Sequence, residues 1–257
     1  MNPSTFAVTV SLLLFAGMLV CLEIGFRVGR RQTAESPNAH EGVGALEAAI
    51  FALLGLLLGF TFAGATSRLE TRRDQIVHEA NAIGTAYLRI DLLPAEEQVA
   101  MRSLFRTYLD NRLEVYSALP DLGAARARIA AASEIQRQIW NRAVASSSKD
   151  ASHDVARVLL PALNEMFDIT TARTIAMQTH TPSLIFMLLI AMAILAALIA
   201  GYAMSERGAR STLHMAIFAA AVSVTIYALL DLDHPRSGLI QLKNVDSAMF
   251  ELRKSIK

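Results

Sequence analysis

Charge is scarce in this chain. Asp, Glu, Lys and Arg make up 18% of its 257 residues, against about 25% in a soluble domain. The deficit falls in four runs: Thr5 to Phe26, Val43 to Thr66, Ser183 to Met204 and Ser211 to Leu230. Each is about as long as the roughly 20 residues that cross hydrocarbon as a helix. A lipid-exposed backbone must satisfy its own hydrogen bonds, so helix is the form expected of these runs. Cysteine is nearly absent too. Cys21 alone can form no intrachain disulfide, and its apolar setting favours packing over thiol chemistry. Neither sign of charge dominates, and a net charge of +1 gives no reason to expect nucleic acid as a partner.

The N-terminal run lacks the marks of a cleaved leader. "MNPST" carries no basic side chain, Arg27, Arg30 and Arg31 follow the apolar run, and Val20 stands before Cys21 where a lipoprotein site needs a small residue. A retained helix is expected. Constellations that carry chemistry are missing as well. His78-Glu79 has no second histidine for a zinc helix, Asp231-x-Asp233 has no phosphate loop, and the serines have no positioned base. Neither an enzyme, a metal set nor a cofactor is expected.

What is present is helix throughout. The fold class expected is all-α, a membrane protein with four transmembrane helices and a helical polar bundle. The segments are 1–66 with the first two spans, 67–182 as the polar domain continuing from the second span, 183–230 with the last two spans, and 231–257 as a polar tail. In the polar domain, Asp91-Leu92-Leu93-Pro94 closes one helix, and Pro94 with Glu96 and Glu97 opens the next. Met101, Phe105, Leu109, Leu113 and Tyr116 form one apolar face. Pro120 to Gly123 reads as a turn and "SSSKDASHD" as a loop. Between them an alanine-rich helix turns Ile129, Ala132, Ile135 and Ile139 inward. Val155, Leu159, Leu163, Met166 and Ile169 mark a last helix that Pro161 bends or restarts. Arginines near the membrane slightly favour the polar side, which places that side in the cytoplasm of a plasma (inner) membrane.

The second span carries the richest pattern. Ala48, Ala52, Gly55, Gly59 and Ala63 make a small-residue stripe that lets another helix approach; packing within one subunit is the ordinary reading for the two glycines. The adjoining face holds Leu56 and Phe60, an apolar constriction if copies surround an axis. Glu47 either rings a pore entrance or lies at headgroup level. Glu23 is expected to pair with Arg27 at i+4. Beyond the span the same helix turns ionic, with Arg68, Arg72, Asp74, His78 and Glu79 expected mostly on a solvated face. Phe60, Ser67 and Asn81 fall at multiples of seven, so Ser67, Asn81 and Thr85 would extend the face of Phe60 as a polar wall.

The motif "LGFTFAGATSR", Leu58 to Arg68, resembles the second transmembrane helix of bestrophins, where Leu-Gly-Phe is followed at a fixed interval by Ser/Thr-Arg. "DLDHPRSGLIQL" is similar to the acidic-x-Pro turn after their last membrane helix, with Asp231, Asp233 and Pro235 in that turn. The wider pattern looks like a group of bacterial bestrophin-like membrane proteins. The resemblance implies a homo-oligomeric, pentameric ion channel whose neck residues are Ala52, Leu56 and Phe60. Its partners would be membrane lipids, small inorganic ions and copies of itself. The paired aromatics of animal bestrophins are replaced here by Leu69-Glu70, and their acidic calcium clasp has no counterpart, so calcium gating is not expected. A different class fits the same topology: two pairs of spans embracing a helical bundle also describe a membrane-anchored sensor or scaffold without conduction.

Overall fold

The computed structural model describes residues 3–35, 42–118, 122–147, 153–207, 211–235, 238–240 and 243–256. All regular structure among them is helical, with no strand. The chain divides into two compact units, Met1–Leu69 with His180–Ile240, and Glu70–Thr179 with Gln241–Lys257.

The first unit contains α1 (Pro3–Glu35), the apolar part of α2 (Val43–Arg89), α6 (Ser183–Met204) and α7 (Thr212–Asp233). These provide four stretches long and apolar enough to cross a membrane. Helix α1 packs against α6 and α7. Without a hydrophobic drive between helices in lipid, close packing through small residues must hold them. Gly25 and Gly201 supply it: a Cβ on Gly25 would stand 2.0 Å from the Leu198 carbonyl oxygen, and one on Gly201 2.0 Å from that of Leu22. Ala193, Ala196 and Ala197 of α6 are fully buried, as is Met18 of α1. Some hydroxyls within the spans bond back to their own helix, Thr61 to the Leu57 carbonyl at 2.7 Å and Thr225 to that of Ala221 at 2.8 Å. Arg27 donates to Glu23 at 2.7 Å, the expected pair. Cys21 is half-buried.

The second unit holds the polar end of α2, α3 (Ala95–Ala118), α4 (Leu122–Ser147), α5 (His153–Gln178) and α8 (Lys243–Ser255). A short 3-10 turn, Ile90–Leu92, ends α2, and Glu96 and Glu97 occupy the first turn of α3, where the helix dipole favours carboxylates. Met101, Phe105 and Leu109 are fully buried with Ile139, Leu159, Leu163 and Met166. The apolar periodicities therefore meet in one core. Leu113 is half-buried. Leu122 and Gly123 of the expected turn, and Ser146 and Ser147 at the start of the expected loop, belong to α4, while His153 and Asp154 at the loop's end belong to α5; the side chain of Tyr116 and residues 119–121 and 148–152 lie outside the described residues.

Pro161 sits inside α5, which runs unbroken across it, so the helix is not restarted there. Proline has no N–H to give the carbonyl four residues back. Beside that gap the Val158 carbonyl accepts an outside donor, Nη1 of Arg89, at 2.6 Å. Arg72 closes the other end of α5: its Nε donates to the Ala176 carbonyl at 3.1 Å and its Nη2 to that of Thr179 at 2.7 Å. These are among the carbonyls that a helix C-terminus leaves without a partner. Helix α8 turns Met249 inward and bonds Arg253 to both oxygens of Asp110.

Candidate functional site

Helix α2 passes from Val43 to Arg89 without interruption, so the greasy and ionic halves of the sequence belong to one helix. Its apolar part is the barest of the four spans. Only 6% of its most apolar window is buried, against 28%, 33% and 39% in the others. The contacts it does make lie on one side. Phe51 packs on Phe218 of α7 with ring centroids 5.4 Å apart, and Leu54 and Ala65 are buried.

At 3.6 residues per turn, Leu56 points roughly 180° away from the direction shared by Phe51, Leu54 and Ala65. Leu56 is 53% exposed and Phe60 68%; Ala52 and Ser67 are exposed on that same side. A Cβ on Gly55 or Gly59 would meet nothing within 4 Å. Close approaches in this unit are made at Gly25, Gly29 and Gly201, not at the GxxxG pair of α2. Glu47 is half-buried near the start of the helix.

The second sequence motif is also in this unit, and the fold brings it to the first. Asp233, the last residue of α7, is 2% exposed. Its Oδ1 accepts from the Thr181 backbone N–H at 3.0 Å and from the Thr181 hydroxyl at 2.9 Å. Arg68 hydrogen-bonds to that same hydroxyl, and its Nη2 lies 3.7 Å from Asp233 Oδ1. Asp231 does a different task. Its carboxylate accepts from the backbone N–H of Leu239 at 3.1 Å and of Ile240 at 2.9 Å, folding the chain back after the buried Pro235. The arginine of "SR" and the second aspartate of "DLDHP" thus face one another, a pairing that no local motif reveals.

His180 also joins this corner. Its ring stacks on His234, centroids 4.7 Å apart and planes 15° from parallel. Sequence reading passed over His180, because nothing near it in the chain marks it out.

In the second unit Asn81 and Thr85 are exposed on α2. Glu79 is not on a solvated face: it is fully buried. Arg112 Nε donates to Glu79 Oε1 at 2.6 Å, and Arg173 bonds to Oε2. Burial by itself pushes the Glu79 carboxyl up, but the guanidinium groups of Arg112 and Arg173 outweigh it and hold it below the ordinary 4.5. Tyr108 lies beside this group, sharing a 2.8 Å hydrogen bond with Thr170 and accepting one from Gln136 at 3.1 Å. Burial raises its hydroxyl above the ordinary 10.0. The solvated-face expectation failed here because helical phase, not charge, decides which side chains of α2 turn inward.

Residues 12–246 match the model of a family described as Bestrophin-like domain. No curated protein and no solved structure matches the chain.

Proposed function

Because the chain belongs to the bestrophin-like family, we propose that it is one subunit of a homo-oligomeric ion channel whose neck is the face of α2 carrying Ala52, Leu56 and Phe60. The observation that carries this reading is the position of that face. It lies opposite the packed side of α2, with Leu56 and Phe60 exposed. Copies arranged around an axis, with five suggested by the family resemblance, would turn those side chains toward one another. A ring of Leu and Phe passes small ions by size and by wetting.

The stripe of Ala48, Ala52, Gly55, Gly59 and Ala63 would let neighbouring copies of α2 approach. Ser67, and further along Asn81 and Thr85, would give the conduit a polar continuation in the cytoplasm, and Glu47 would lie at its outer end. Lipid surrounds the remaining faces of the spans.

Planar-bilayer recording of the purified protein tests the proposal, with Phe60→Ala alongside. Discrete currents whose conductance rises in the variant are expected. Silence of both proteins across salts and voltages would sink it. A cysteine placed at the exposed Gln138 and labelled from either side of the membrane distinguishes the sensor class. Labelling from outside the cell would favour a sensor bundle over a cytoplasmic vestibule.

A further inference from the structure

We propose that His180, Asp233 and His234 form a transition-metal site of the zinc type, tying the residues before α6 to the end of α7. Donors neighbouring in sequence make no metal set. The fold adds His180 from a distant stretch. Each of the three offers one donor atom, and these atoms all lie within 4.8 Å of one another.

The spacing suits a small N,O-bound ion. Zinc bonds of about 2.0–2.2 Å put tetrahedral ligands roughly 3.4 Å apart. His180 Nδ1 already stands 3.6 Å from Asp233 Oδ2. Ion binding would exchange the contact of His180 Nδ1 with the Asp233 carbonyl oxygen, 3.2 Å, for the metal bond. The two imidazoles now stack with planes 15° from parallel, and an ion lies in the plane of each ring that binds it, so His234 would close the set by turning its ring out of the stack.

The surroundings resemble those that hold metal ligands in place. Thr181 gives its hydroxyl to Oδ1 of Asp233 and shares its N–H between Oδ1 at 3.0 Å and Oδ2 at 3.3 Å, Arg68 lies behind Oδ1, and Oδ2 faces His180. Nδ1 of His234 faces the Leu230 carbonyl at 3.4 Å, so its Nε2 is the nitrogen presented as a ligand. Asp233 is buried at 2% side-chain exposure while His180 is 43% exposed, so an ion can reach the carboxylate from water. Two imidazoles and one carboxylate suit zinc, cobalt or nickel, whereas calcium needs six to eight oxygens.

The test is titration of the full-length protein in detergent, stripped with EDTA, with Zn²⁺ followed by calorimetry and with Co²⁺ followed by its visible absorption. One ion per chain is expected, unaffected by millimolar Ca²⁺. His180→Ala and His234→Ala should each weaken binding at least about tenfold, and the double variant should abolish both the heat and the cobalt spectrum. His78→Ala and His214→Ala should change neither. The two ligand variants alter exposed or half-buried rings, and unchanged elution on size exclusion confirms their fold. Absence of saturable Zn²⁺ binding to the unaltered protein overturns the proposal, as does binding that survives in the double variant.

Discussion

Arg112 donates to Glu79 across 2.6 Å with neither side chain reaching solvent. Arg173 holds the other carboxylate oxygen. A buried ionic group of this kind adds little relative to a well-packed apolar one, but removing one member strands charge in a low-dielectric core and costs about 3–5 kcal/mol. Glu79→Ala should therefore lower the unfolding temperature of the second unit sharply. Trp140 reports on that unit, since it is the chain's one tryptophan and sits edge-on to Phe167 at 6.4 Å. Its fluorescence during heating checks the prediction, with Glu134→Ala as the control. Glu134 lies on the surface beside Arg137, and its loss should leave the transition where it was.

The same group sets an acid limit. Glu79 has a carboxyl held below 4.5 in the folded protein, so as pH falls the unfolded chain takes up the proton first. Its stabilisation is complete above about 4.5 and is lost as pH falls from there through the lower folded value. Tyr108 gives the opposite limit. Its hydroxyl is raised by burial, so the unfolded chain releases the proton first, and stability declines as pH rises above the ordinary 10.0 toward the folded value. Trp140-monitored unfolding across pH should show both arms. The acid arm should flatten in Glu79→Gln, and an acid arm of unchanged steepness would show that other carboxylates carry it.

What was legible in the sequence was whatever repeats along the chain. Met101, Phe105 and Leu109 share a face by period alone, and all three are core. The absence of any proline or glycine pair between Leu56 and Asn81 implied one helix, and α2 is one. Pairings between distant segments were not legible. Glu79 looks like any charged residue on an ionic helix until α3 and α5 bring arginines to it, and Asp233 shows no sign of Thr181 or Arg68. Small residues mislead in a related way. Glycines at the spacing of Gly55 and Gly59 announce that a helix can approach, without saying which; in this unit close approaches are at Gly25, Gly29 and Gly201.

Arg68 and Asp233 should be energetically coupled. Asp233 is buried while the Arg68 side chain is 31% exposed, so loss of the arginine leaves a desolvated carboxylate without that cation. Arg68→Met should destabilise the protein by about 1–3 kcal/mol. The combined Arg68→Met, Asp233→Asn variant should be less destabilised than the two single effects added together, because the charge that the arginine answered is gone. Thermal unfolding of the four proteins in detergent gives the cycle. Strict additivity would mean the 3.7 Å approach carries no interaction.

Alanine substitutions at glycine separate contacts within a subunit from contacts between copies. At Gly201 the new Cβ would stand 2.0 Å from the Leu22 carbonyl oxygen, which only movement of α1 away from α6 can relieve. Gly201→Ala should cost about 1–3 kcal/mol or more, visible as a lower unfolding temperature of the detergent-solubilised protein. At Gly55 and Gly59 a Cβ meets nothing within 4 Å, so the same change should leave subunit unfolding unaltered. If copies of α2 pack along this stripe, however, those methyls fall between two backbones. Gly55→Ala with Gly59→Ala should then reduce the oligomer mass measured by light scattering while the subunit remains folded. An unchanged mass in that double variant would leave the stripe facing lipid and remove it from the assembly.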